Sequence, residues 1–400
     1  MANRKKLAYL VSHPIQYQTP LFRYITEHAS FDFKAFFLND FSTREYTDPG
    51  FKQPVKWDVP LLGGYEHEFI PSFDPVKAAH VYRPFTARVS RIFRNNDIDA
   101  IWTHGYHHPA FLRALYLARR KGVKTMVRNE SRYGSVYGEG TKSRDAKSRF
   151  LNKRLFPVTD AFLAIGSENK KYYLRHGVPE EKIFDVPYAV DNSYFQNKIA
   201  NAPKGRKELR EELNVSEDAP VIVFVGKFIG RKRPLDLVKA WGKLVTDSEG
   251  VKPYLVMVGS GPLHDEAVKL ANSIDQEHVR MVGFKNVEEV PGYYALGDLF
   301  VIPSEAEPWG LVTNEAMNAG VPIIATNDIG SSADLVREGE NGYVIDVGDI
   351  DAMASAIRKV LSDKETAEQM GRRSLELINQ HSYREDLEGL EKAMAAVFRK

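Results

Sequence analysis

Glu307 and Glu315 stand eight residues apart in the run SEAEPWGLVTNEAMNAGVPIIAT, with Pro308, Trp309 and Gly310 opening the interval. An ionised carboxylate only accepts hydrogen bonds. The apolar run 298–304 before the pair reads as a buried strand and a turn. Residues 315–319 read as a helix stopped by Gly320, and 321–325 as the next strand. The pair therefore falls on a strand–loop–helix corner of a parallel α/β sheet, where loops at the carboxyl ends of strands open onto a crevice. The backbone amides of Leu311 and Val312, just after Gly310, suit an anion. A ligand-gathering corner with amides free for an anion gives a nucleotide-sugar as the working expectation.

A second stretch, GKFIGRKRP, places Lys227 and Lys232 on one loop after the strand 221–225, with Arg231 and Arg233 beside them. Lysine suits a diphosphate as a mobile point charge, and Gly226 and Gly230 let the backbone approach a ligand. Gly259-Ser260-Gly261 follows the strand 254–258. Taken alone, the basic loop reads equally as solvated surface and the glycines as a tight turn. Their shared position strengthens both, because each follows a strand of the sheet that carries Glu307 and Glu315.

The elements that must position these groups form two successive alternations of strand and helix. The first half offers strands at 7–12, 31–38, 99–103, 124–128 and 161–166, with helices at 21–28, 75–95 and 110–121. Residues 39–75, rich in Gly, Pro, Asp and aromatics, read as a long loop, either functional or a structural insertion. Residues 142–156, with six Lys and Arg and one Asp, read as a basic amphipathic helix. It is either an ordinary solvated helix or one that lies on an anionic membrane. The domain linker is placed near the start of a polar stretch, 189–219. Strands at 221–225, 254–258, 279–284, 298–304, 321–325 and 342–346 follow, and helices at 349–362, 364–378 and 381–398 end the chain. The expected fold class is α/β: two doubly wound domains, 1–188 and 189–379, with the final helix, 380–400, returning to the first.

Composition narrows the function. Zero cysteines exclude thiolate metal sites, disulfides and cysteine nucleophiles. No apolar run approaches the ~20 residues of a membrane helix, and the amino terminus reads as a strand rather than a signal peptide, so a cytoplasmic protein is expected. Net charge is +2, unevenly spread. Residues 1–187 carry 30 Lys and Arg against 19 Asp and Glu, and the remainder 25 against 34. Either two solvated surfaces differ, or the first half faces an anionic acceptor or lipid surface, with membrane contact at the inner face. No nucleic-acid partner is indicated.

The E-x7-E run resembles the signature of retaining GT-B glycosyltransferases of the GT4, or group 1, type. The likeness extends to Phe224-Val225-Gly226-Lys227 with Lys232, to 256–262, to Val282-Gly283-Phe284 and to 330–342, and covers nearly all of 220–360. The first half resembles the family more loosely, through His13-Pro14-Ile15-Gln16-Tyr17, His104-Gly105-Tyr106 and Arg128-Asn129-Glu130-Ser131. The resemblance implies two Rossmann-like domains facing a central cleft. It also implies that Glu315 takes the ribose hydroxyls, that Glu307 orients the transferred sugar and that Lys227 and Lys232 balance the diphosphate. Leu311 and Val312 would seat the outer phosphate, Gly259 would lie beside it, and Gly283 and Phe284 would line the base. His104 would face the reacting sugar, with His13, Gln16, Tyr17, Tyr106 and Glu130 on the acceptor side. Histidines 13 and 104 read equally as satisfied structural residues, Glu130 as a partner of Arg128 or Arg132, and Trp309 as packing. Two departures stand out: the family usually has arginine where Lys227 stands, and often has glycines in the first loop.

Nucleoside diphosphate is already a good leaving group, so basic side chains and helix amides suffice without a metal or cofactor. Transfer with retention to a glycan or lipid-linked hydroxyl, in polysaccharide, lipopolysaccharide or glycolipid assembly, is the expectation. The alternatives are a nucleotide-sugar epimerase or hydrolase of the same fold, or a non-catalytic sugar-nucleotide binder. The two carboxylates are not read as the acid/base pair of a glycosidase.

Overall fold

The computed structural model describes residues 4–77, 83–132, 149, 152–202, 205–247 and 251–399. The chain forms two compact units. The first comprises Met1–Thr47, Pro54–Val190 and Tyr383–Lys400; the second comprises Asp48–Gln53 and Asp191–Ser382.

The first unit is built on a seven-stranded sheet. Its strands are β1 (Lys6–Val11), β2 (Asp32–Phe37), β5 (Glu66–Phe69), β6 (Ala100–His104), β7 (Lys124–Arg128), β8 (Ala161–Ala164) and β9 (Ile183–Asp185), in the order β5-β2-β1-β6-β7-β8-β9. All neighbours are parallel. Leu7, Ala8, Tyr9, Leu10 and Val11 are all buried, as expected of a strand covered on both faces. The strand order reverses between β1 and β6, so the loops carrying His13 and His104 flank the switch point.

The final helix, Tyr383–Phe398, belongs to this unit. Leu387, Leu390, Met394 and Val397 recur at helical spacing and are buried. Gly389 lets the helix lie against the sheet: a Cβ there would sit 1.8 Å from the carbonyl oxygen of Asp185.

The second unit has a six-stranded parallel sheet. Its strands are β10 (Val221–Val225), β11 (Tyr254–Val258), β12 (Val279–Gly283), β13 (Leu299–Ile302), β14 (Ile323–Thr326) and β15 (Gly342–Ile345), in the order β12-β11-β10-β13-β14-β15. Its core packs Phe224, Trp241, Leu255, Met257, Met353 and Ile357. The order reverses between β10 and β13, where Ile222 pairs with Leu299 and Val223 with Phe300. The Lys227–Lys232 loop and the Glu307 loop leave the carboxyl ends of those two strands.

Two expectations are corrected. The helix at 75–95 is absent over its described part, apart from a turn at Val89–Arg91 and the short helix Ile92–Asn95. The Asp74 carboxylate instead takes the amides of Phe85 and Thr86, at 2.7 and 2.9 Å, and so fixes a turn. Residues 39–75 are not one long loop: they contain the edge strand β5 and the short pair β3 (Tyr46–Asp48) and β4 (Gln53–Val55). The polar stretch 189–219 holds two helices, Asn192–Ala200 and Arg206–Glu212; the Asp191 carboxylate caps the first through the Tyr194 amide, at 2.9 Å. The basic stretch 142–156 lies mostly outside the described residues. Among the described residues, no helix is long and apolar enough to cross a membrane.

Candidate functional site

The chemistry suggested by the sequence converges at the switch point of the second sheet. After β10 the chain makes a short turn, Gly230–Lys232, left-handed at Arg233 (φ 47°). After β13 it turns through Ala306 (φ 52°) and Gly310 (φ 90°). A Cβ on Gly310 would stand 3.0 Å from Ile329 and 3.3 Å from the Glu307 side chain, so only glycine fits this turn without strain.

These turns bring Lys232 Nζ to 2.5 Å and Arg231 Nη1 to 2.9 Å from the same oxygen, Oε2 of Glu307. The loop is fixed by its own backbone. The Glu307 amide donates to the Asp328 carbonyl at 3.1 Å, and the Glu307 carbonyl accepts from Gly330 at 3.1 Å. Arg233 pairs instead with Asp236 and Glu305. Trp309 is buried beneath the loop and donates from Nε1 to Asn314 at 2.8 Å, so it packs rather than presents a face to ligand.

Glu315 lies on the helix Leu311–Met317, half-buried, and accepts from the Tyr294 hydroxyl at 2.6 Å. Burial pushes its carboxyl up to about 7, against the Tyr294 hydrogen bond and the Lys232 charge, which lower it. The glycine loop packs as tightly as its sequence suggests. A Cβ on Gly259 would lie 1.9 Å from the Gly226 carbonyl oxygen, so the loops after β10 and β11 touch backbone to backbone. Phe284 follows Gly283 at the end of β12 and meets Phe51 edge-on, with ring centroids 4.7 Å apart. The ammonium of Lys227 is held by Asp48, at 2.8 and 3.0 Å.

In the first unit, a second polar cluster forms at that sheet's switch point. His104 ends β6, with Nδ1 3.4 Å from Gln18 and Nε2 3.5 Å from Glu130. The Tyr188 hydroxyl donates to Glu130 at 2.5 Å and lies 3.4 Å from His104 Nε2. Burial raises the Glu130 carboxyl, but hydrogen bonds from His104 and Tyr188, together with the Arg128 charge, outweigh it and hold the group below its ordinary value. Tyr17 joins the cluster through Tyr188 and Gln18; burial and the Glu130 charge keep its hydroxyl protonated. Burial, and then the nearby His104, hold His13 down at about 4, and its ring packs on Phe41. Gln16 is half-buried in the same loop. Tyr106 is not brought to this cluster: it is fully buried and donates to Asn152 at 2.7 Å.

Arg231, Tyr294, Tyr188, Gln18, Asp48 and Phe51 were not marked as site residues by the sequence. Only Arg231 carried a local signal, its place between the two switch-point lysines. The others join through contacts of distant segments. Among the described residues, the one group of acids and histidine able to converge on a cation is Asp275, Glu277 and His278. It precedes β12, an edge strand, whereas Glu307 follows the inner strand β13, and Lys252 already neutralises Asp275 at 3.0 Å.

Comparison with known proteins agrees with this geometry. The fold is that of GT-B glycosyltransferases. Sucrose-phosphate synthase from Thermosynechococcus elongatus aligns over 99% of both chains, with a TM-score of 0.74 at 19% identity. HepE from Anabaena, solved in complex with UDP and glucose, aligns over 98% of this chain and 100% of its own, with a TM-score of 0.72 at 16% identity. The family of glycosyl transferases group 1 matches residues 205–376, and glycosyltransferase family 4 matches 46–194. The chain belongs to this group 1, or family 4, class of glycosyltransferases. A GDP-mannose-dependent alpha-(1-6)-phosphatidylinositol monomannoside mannosyltransferase from Mycobacterium tuberculosis is 29% identical over 292 residues, 71% of this chain and 72% of its own.

Proposed function

We propose that this glycosyltransferase moves a sugar from a nucleotide-diphosphate sugar to a hydroxyl of a glycan or lipid-linked acceptor, with retention of configuration and without a metal. The observation that carries the reading is the convergence of Lys232 and Arg231 on Glu307, with Glu315 on the helix that follows the same loop. Glu315 takes the ribose hydroxyls and Glu307 the sugar hydroxyls. Lys232 and Lys227 offset the charge of the departing diphosphate, with the amides of Leu311 and Val312 at the helix start. Gly283 and Phe284 line the base. In the first unit, the His104–Glu130–Tyr188 cluster receives the acceptor.

Assembly of a glycolipid or polysaccharide is the process this reading favours. The name of the mycobacterial relative specifies a phosphatidylinositol-linked acceptor, and the basic excess of residues 1–187 suits an anionic acceptor or membrane surface.

The test is transfer from a panel of UDP-, GDP- and ADP-sugars to lipid-linked and free glycans, with and without chelator. Acceptor-dependent product that survives chelator is expected. A new sugar-nucleotide or free sugar formed equally well without any acceptor would favour an epimerase or hydrolase instead.

A further inference from the structure

The second unit places a carboxylate where the proposed reaction needs a phosphate. Asp48–Gln53 packs with this unit, and its turn sits on the loops that follow β10, β11 and β12. Asp48 grips the Lys227 ammonium with both carboxylate oxygens, at 2.8 and 3.0 Å. Its side chain is 12% exposed, against 31% for Lys227, so the lysine can be reached from solvent while Asp48 holds it. The same ammonium lies 4.6 Å from the centroid of the Phe51 ring, which in turn meets Phe284. The turn is closely seated: a Cβ on Gly261 would come within 2.8 Å of the Gly50 carbonyl oxygen.

We infer that Asp48 is an internal competitor for the donor diphosphate, occupying Lys227 until the donor takes the lysine over. This rests on the reading of Lys227 as a diphosphate ligand. Lysine, a compact point charge on a flexible stem, can exchange one oxyanion for another by a small swing of its terminal carbons, which a bidentate arginine fork does less readily. Free enzyme thereby avoids leaving a half-buried ammonium unpaired, at the cost of donor affinity. The same competition favours release of nucleoside diphosphate after transfer, because Asp48 re-forms its pair as the product leaves.

Asp48→Asn tests this with little disturbance of the turn. Asp48 Oδ1 also accepts the amides of Gly50 and Phe51, at 2.8 and 3.1 Å, and an asparagine oxygen can keep both. Calorimetric titration of wild type, Asp48→Asn and Glu315→Ala with UDP, GDP and ADP, and with the matching nucleosides, separates the outcomes. For the diphosphate that wild type prefers, Asp48→Asn should bind about threefold to tenfold tighter, with nucleoside affinity unchanged. Equal or weaker diphosphate binding by Asp48→Asn, with wild-type binding intact and lost in Glu315→Ala, overturns the competitor and leaves the donor site standing. Tightening of diphosphate and nucleoside alike also overturns it, since the turn would then act by bulk rather than charge. Failure of both wild type and Asp48→Asn to bind any diphosphate removes the donor site and the competitor together.

Discussion

The Lys232 ammonium and the Glu307 carboxylate lie 2.5 Å apart at the switch point of the second sheet, one from the loop after β10 and the other from the loop after β13. Both side chains are nearly buried, at 12% and 13% exposure, so the pair is held where solvent screens it weakly. Arg231 binds the same carboxylate oxygen. Glu307 therefore presents a carboxylate whose position is set by two cations.

Lys232→Ala should lower kcat by about a hundredfold or more, the usual scale for removing one group that stabilises developing negative charge. Lys232→Arg, which keeps the charge, should recover part of the loss. The check is steady-state transfer together with a thermal melt. Near-normal kcat in a folded Lys232→Ala protein would remove Lys232 from the chemistry.

Glu315 makes nucleotide binding and stability depend on pH in opposite senses. Its carboxyl is raised from 4.5 to about 7 by burial. Between those values the folded protein keeps a proton that the unfolded chain has released. The stability this group contributes is present below about pH 4.5 and is lost as pH rises to 7, by at most roughly 3 kcal/mol. The ionised form is the better acceptor for ribose hydroxyls. Diphosphate affinity of wild type should therefore rise from pH 6 to 8. Glu315→Gln should bind nucleotide more weakly and without that rise, yet melt at a higher temperature than wild type above pH 7, the gap closing near pH 4. A gap independent of pH would contradict the raised carboxyl.

Much of the second unit was legible because its information is local. Strands such as 221–225 and 254–258 are continuous apolar runs, and the Glu307–Glu315 corner lies within one supersecondary unit, so spacing alone placed its carboxylates. The partners of those carboxylates were less legible. Tyr294 lies 21 residues before Glu315, and Asp48 lies 179 residues before Lys227; no periodicity links such positions. The edge strand β5 was missed because Glu66-His67-Glu68-Phe69 is polar and half-exposed, as an edge allows. Over its described part the helix expected at 75–95 gives way because Asp74 offers its carboxylate to the amides of Phe85 and Thr86, which a helix would have used.

Tyr188 ties Glu130 to His104 in the first unit, and removing its hydroxyl should affect acceptor handling alone. Tyr188→Phe takes away the donor 2.5 Å from Glu130, so that carboxyl should move up toward its ordinary range. A hydrogen bond to a charged group contributes about 1.5–3 kcal/mol. The expected result is a rise of about tenfold or more in acceptor KM, with nucleotide affinity measured separately and unchanged. A loss of nucleotide affinity, with acceptor KM unaltered, would assign the cluster to the donor instead.

The last helix is fixed to its sheet by a buried ion pair, which gives a test of stability independent of catalysis. Arg128, at the end of β7, donates to Asp386 at 2.9 Å and to the Val186 carbonyl at 2.9 Å, and both side chains of the pair are at most 2% exposed. Burial pushes the Asp386 carboxyl up and the Arg128 charge pulls it back, with a net rise. Removing one partner leaves the other charge buried without its counter-ion, which typically costs about 3–5 kcal/mol. Asp386→Leu should therefore lower the melting temperature of the first unit by about 10 °C. Replacing both partners, Arg128→Met with Asp386→Leu, should restore much of that loss, because two apolar side chains carry no desolvation penalty. If the double variant melts no higher than Asp386→Leu alone, the pair contributes through specific geometry that apolar packing does not replace.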